Sequence, residues 1–256
     1  MYRNAFVFSL LCALGSVAQA NEITDEDRDA FVINNLIHIL YHEAGHAVID
    51  QFRFPVLGQE EDAADAFATL EIMETFDDPL PILADAAVSL FILDERLGDD
   101  IEAADYYGTH DLDLQRAYRI ICFGVGLDPE NFLGLARDYE ISPERLETCE
   151  DDSWLAADSW AMVLEPVLND EGEISKRVTV QVDETTLSDN QQRLLIDSAV
   201  LDDFALYLSE SFRWPQAVTI TTEVCGEPNA FYDPQSVSVI MCAEFVDELV
   251  AMAAAL

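Results

Sequence analysis

Basic residues are scarce in this chain of 256 residues: Lys and Arg total 12 against 51 Asp and Glu, and Lys176 is the one lysine. A formal net charge of −39 repels polyanions, which excludes nucleic acid and anionic membrane surfaces as partners. Long uncharged apolar runs are also lacking beyond the N-terminus, so no stable membrane anchor is expected. Cysteine is sparse, 5 in all, and no C-x-x-C spacing supports a thiolate metal site. Internal repeats and low-complexity linkers are absent. Half of the residues are hydrophobic (50%), so the chain can bury a core despite its charge. The carboxylate surplus fits a surface kept hydrated in a saline setting, or a preference for cationic substrates.

At the N-terminus, Met1-Tyr2-Arg3-Asn4 is weakly basic, Ala5 to Val17 is apolar, and Ala18-Gln19-Ala20 has the small-residue pattern of a cleavage site. Residues 1–20 therefore read as a signal peptide, and the mature chain as periplasmic or secreted. Cys12 falls inside that peptide, leaving Cys122, Cys149, Cys225 and Cys242. Four thiols in an oxidising compartment predict two disulfides. Cys122–Cys149 and Cys225–Cys242, each closing a local loop, are the preferred pairing.

Histidine is also rare, 4 in total, yet His42-Glu43-Ala44-Gly45-His46 spells H-E-x-x-H within an apolar-periodic segment. On a helix, positions four apart share one face, so both imidazoles can reach one metal, with Glu43 beside them as a general base. Catalytic zinc takes three protein ligands and leaves a position for water. Glu60-Glu61-Asp62-Ala63-Ala64-Asp65 opens a second amphipathic helix after the break at Phe54 to Gly58. A short helical hairpin could bring either Glu61 or Asp65 level with His46. His38 stands too far from His46 to share the zinc, about 12 Å along a helix, and reads as structural or as a partner behind the ligands.

Glu61 through Asp65 spells E-x-x-A-D and resembles the second motif of gluzincin-type zinc peptidases. That resemblance implies Glu61 as the third ligand and Asp65 as a hydrogen-bond partner of a ligand histidine. More of the chain resembles a bacterial metallopeptidase family of unknown function: LYHEAGHAVID (40–50), FPVLGQEEDAADAFA (54–68), THDLDLQRAYRIICFGVGLDPENF (109–132), SWAMVLEPVL (159–168) and CGEPNAFYDPQSVSVIMC (225–242). In that family the CGEPNAFYDP segment is expected before the H-E-x-x-H helix, so the chain looks circularly permuted. Its closing helix should then pack beside the zinc helix and carry Tyr232 towards the cleft.

Periodicity predicts helices over 25–52, 59–76, 80–97, 100–107, 112–124, 129–138, 143–148, 153–167, 188–211 and 244–256, and strands at 178–182, 217–222 and 236–241. The expected fold is α+β: a mostly helical, zinc-peptidase-like single domain over 21–256, with a helical part at 21–168 and an α/β part at 174–256 holding a small antiparallel sheet. Trp154 and Trp160 stand at helical spacing and read as core. His110 and Tyr232 are candidates to donate to a developing oxyanion; alternatively His110 starts a helix, and Tyr232 sits in a tight Asn/Asp/Pro hairpin. These residues point to a zinc-dependent peptidase acting on peptide or protein substrates, with catalytic Glu43, His110 and Tyr232. The alternative is a non-catalytic envelope or binding protein that keeps the metal site.

Overall fold

A computed structural model describes residues 23–98, 101–102, 105–170 and 172–256; the expected signal peptide lies outside the described residues. The longest helix, α1 (Asp25–Phe52), starts where the sequence supplies a reciprocal cap. Thr24 Oγ1 accepts from the Asp27 amide at 3.1 Å, and the Thr24 amide donates back to Asp27 Oδ2 at 3.0 Å. It ends at Arg53 in the left-handed region (φ 55°), two residues before Pro55. Phe31, Val32, Leu36, Leu40, Ala44, Ala47 and Val48 are all buried, so α1 runs through the core.

Around it pack α2 (Glu60–Thr75), α3 (Leu80–Leu97), α8 (Val200–Ser211) and α9 (Ala243–Ala253). A second group, α4 (Asp113–Leu127), α5 (Pro129–Asp138) and α6 (Pro143–Leu164), is joined by a disulfide between Cys122 and Cys149. The predicted break between 148 and 153 is absent, and α6 is continuous. There α6 lies against Gly126, where a Cβ would meet Ser153 Oγ at 2.1 Å and the Cys149 carbonyl oxygen at 2.4 Å. That contact buries Cys149 and Ser153 inside an otherwise polar run. Trp160 packs on Phe67 at 4.9 Å between ring centroids, but Trp154 is 53% exposed and is not core.

The remaining strands are β1 (Val178–Gln181), β2 (Val218–Glu223), β3 (Ala230–Asp233) and β4 (Ser238–Cys242), in the order β1-β2-β4-β3. The sheet is mixed: β1–β2 and β2–β4 are parallel, and β3–β4 alone is antiparallel. The expected tight hairpin at Asn229 to Pro234 is itself a strand, which inverts the chain before β4 and so makes β2 and β4 parallel. Its reversal is held by Asp233, whose carboxylate accepts from the Gln235 amide at 2.9 Å and the Ser236 hydroxyl at 2.6 Å. The single helix expected at 188–211 is broken into α7 (Asp189–Gln192), a π turn over Arg193–Asp197 and α8, because Ala199 is left-handed at φ 64°. Of the expected helix at 100–107 only a 3-10 turn at Asp105–Tyr107 is described. A second disulfide joins Cys225 to Cys242. Among the described residues no helix is long and apolar enough to cross a membrane.

Candidate metal centre

Close contact between α1 and α2 builds the site. A Cβ at Gly45 would lie 2.9 Å from the Cα of Ala64, so the second variable position of H-E-x-x-H lets the two backbones touch. One turn earlier on α2, Glu61 then reaches the histidine pair. His42 Nε2 and His46 Nε2 are 3.2 Å apart, and Glu61 Oε2 lies 3.2 Å from the first and 3.1 Å from the second. Glu61 thus stands among both imidazoles, and Asp65 lies behind them.

The protons decide what this triangle can hold. His42 Nδ1 is 2.7 Å from Asp65 Oδ1, a short contact though poorly aligned as a hydrogen bond, and His46 Nδ1 is 2.9 Å from Glu60 Oε1. Assigning the proton of each neutral ring to Nδ1, where a carboxylate faces it, leaves both Nε2 lone pairs pointing inward with that of Glu61. Three acceptors so close repel one another unless a cation lies between them. In a tetrahedral zinc site with ligand bonds of about 2.0–2.1 Å, neighbouring ligand atoms stand about 3.3–3.4 Å apart. The observed separations of 3.1 to 3.2 Å fall slightly inside that edge, so His42, His46 and Glu61 form a group able to hold one metal ion.

Without a cation the carboxylates draw protons onto the rings. Burial opposes charging His42, but Asp65 and Glu61 outweigh it and push its pKa up to about 9. His46 moves upward for the same reason, burial being overcome by Glu61 and Glu60. Burial also disfavours ionised Glu61, yet the converging His110, His42 and His46 hold its carboxyl well below the usual range. Asp65, likewise buried, is held low by Arg116 and His42. Glu43 is 4% exposed; burial pushes its carboxyl up, against the pull of the histidines and the Tyr232 backbone amide.

These groups open on a cleft of about 1000 Å³ lined also by the first turn of α2, residues 108–110, β3 and Phe245. His42, Glu43, His46, Glu61, His110 and Tyr232 all line it. His110 Nε2 reaches the shared Glu61 oxygen at 2.8 Å. The Tyr232 hydroxyl donates to Asp50 Oδ2 at 2.7 Å and accepts from Gln51 at 2.9 Å, so its hydrogen bonds go to the last turn of α1. Two residues escaped sequence reasoning, Arg116 and Arg119. Arg116 takes both oxygens of Asp65, Nε to Oδ2 at 2.8 Å and Nη2 to Oδ1 at 2.9 Å. Arg119 joins Asp62 at 2.7 Å to Asp111 at 2.5 Å, beside His110. Their signal was present: two of the few cations, three apart, matching the three-residue spacing of Asp62 and Asp65.

Fold and site together define an α+β protein with two histidines and one carboxylate grouped so that they could hold a metal ion. The chain belongs to the family described as "Putative metallopeptidase", whose profile matches residues 7–164 and 181–255. No curated protein and no solved structure matches it. The family match supports a peptidase activity on peptide or protein substrates. The closing helix α9 does pack against α1.

Proposed function

We propose that the protein is an exported zinc-dependent peptidase working by a gluzincin-like mechanism. The convergence of His42 Nε2, His46 Nε2 and Glu61 Oε2, with buried Glu43 alongside, carries this reading. Two imidazoles and one carboxylate form a donor set suited to catalytic zinc, and a three-ligand group leaves a coordination position for substrate chemistry. Bound there, the metal supplies Lewis acidity, polarising a peptide carbonyl and acidifying a water.

The chain's own residues do the rest. Glu43 removes the proton from the attacking water and returns it to the leaving amine; its buried carboxyl, biased towards protonation, suits that exchange. His110 and Tyr232, on the walls of the cleft, donate to the carbonyl oxygen as it gains charge. Tyr232 must exchange its bond to Asp50 for this role. Asp65 and Glu60 hold the two ligand rings with Nε2 inward. A purely structural zinc would be closed by a fourth protein ligand, and Glu43 would have no task there, which favours the enzyme over a binding protein. The two disulfides support a periplasmic or secreted location.

Metal analysis of the purified mature protein, followed by digestion of a peptide library with and without chelator, tests the proposal. One zinc per chain and cleavage that stops on chelation and returns with zinc are expected. Metal-independent cleavage, or zinc binding without cleavage of any library member, would reject it.

A further inference from the structure

Arg116 and Arg119 stand one turn apart on α4 and face Asp65 and Asp62, one turn apart on α2, so two ion pairs brace the helices in register. Beyond the brace the two pairs differ. Arg119 continues to Asp111, whereas Arg116 continues through Asp65 to the ligand ring of His42. We propose that Arg116 is a positioning residue of the metal centre: its two-point grip on Asp65 fixes the carboxylate plane that keeps His42 Nε2 aimed at the metal. This rests on the metal-site reading above.

The geometry requires a fork at this position. Asp65 Oδ1 meets both Arg116 Nη2, at 2.9 Å, and His42 Nδ1, at 2.7 Å, while Oδ2 is occupied by Arg116 Nε at 2.8 Å. Side-chain exposures of 13% for Arg116, 7% for Asp65 and 2% for His42 leave little water to substitute for a lost partner. A guanidinium offers parallel donors in a fixed plane, and an ammonium cannot hold both oxygens in that way. A simple α2–α4 brace needs charge alone, so Lys would serve it. Orienting Asp65 needs the fork, so Lys would not.

The test uses the mature full-length protein, stripped of metal and titrated with zinc against a chromophoric chelator, and separately loaded with Co²⁺ for its visible absorption. Parent, Arg116→Lys and Arg119→Lys are compared. Arg116→Lys should lose about 10–100-fold in zinc affinity, the usual cost of disturbing a ligand's hydrogen-bond partner, and shift the Co²⁺ bands. Arg119→Lys should bind zinc as the parent does. Parent-like zinc affinity in Arg116→Lys, or equal losses in both variants, would overturn the inference. A parent that binds no zinc would instead reject the metal-site reading, and this inference with it. If Arg116→Lys does not fold, Asp65→Asn and Asp65→Asn/Arg116→Gln decide. Equal zinc affinity in these two supports action through Asp65, and a further loss in the double variant contradicts it.

Discussion

Gly45 and Ala64 touch backbone to backbone: a Cβ on Gly45 would lie 2.9 Å from Ala64 Cα. Gly45→Ala gains about 1 kcal/mol of helix propensity, but the atom it meets is main chain and cannot swing aside. Steric cost wins, with a net loss of about 1–2 kcal/mol of stability. Since separating α2 from α1 withdraws Glu61, zinc affinity should fall as well. Thermal unfolding and zinc titration check both; unchanged affinity would mean that this contact does not set the Glu61 position.

His38 tests the buried face of α1. Burial lowers its pKa to about 4, below the roughly 6.5 of an unfolded histidine, so between these values the unfolded chain binds the extra proton. Its contribution is therefore full above pH 6.5 and is lost as pH falls towards 4, a difference of about 3 kcal/mol at most. His38→Leu should flatten the decline in stability over that window relative to the parent. Parallel pH profiles of the two proteins would show that His38 is not the group responsible.

Zinc binding should release protons. With His42 drawn up to about 9 in the metal-free protein, that ring is protonated at pH 7 and must lose its proton to ligate. Apparent affinity should rise with pH, about tenfold per unit for each proton released, up to that value. Calorimetry in buffers of different ionisation enthalpy counts the protons; none released at pH 7 would contradict the convergence of lone pairs described above.

The Cys122–Cys149 bond spans 27 residues and ties α4 to α6. Replacing both cysteines by serine should cost about 3–4 kcal/mol on a chain-entropy basis, read as a lower denaturant midpoint. Since α4 carries Arg116, whose grip on Asp65 reaches the His42 ring, chelator resistance should drop in parallel. A variant of unchanged midpoint would show that the α4–α6 pair holds without the bridge.

The helices around the metal centre were legible because their signals are local. Apolar periodicity marks α1, the break at Phe54 to Gly58 and the acidic run from Glu60 mark the start of α2, and the four-residue spacing of His42 and His46 sets their shared face. Both disulfides were legible as local loops. The parallel β2–β4 pairing was hidden because β3 is short and bounded by Asn229 and Pro234, residues that also make turns; reading it as a hairpin reverses the inferred direction of β4 relative to β2. Arg116 was hidden because its role depends on how α4 docks against α2, a long-range fact that no spacing within one helix states. Tyr232 was placed in the cleft, but its bonds to Asp50 and Gln51 join residues about 180 positions apart, beyond any sequence pattern.

The most direct measurement compares zinc-loaded parent and Glu43→Gln on one peptide that the parent cleaves, with bound zinc determined on the same samples. The substitution keeps size and ligands and removes the base. Loss of about 10²–10⁴-fold in kcat at unchanged zinc stoichiometry is expected. Undiminished cleavage by a fully loaded Glu43→Gln would contradict the account at its centre.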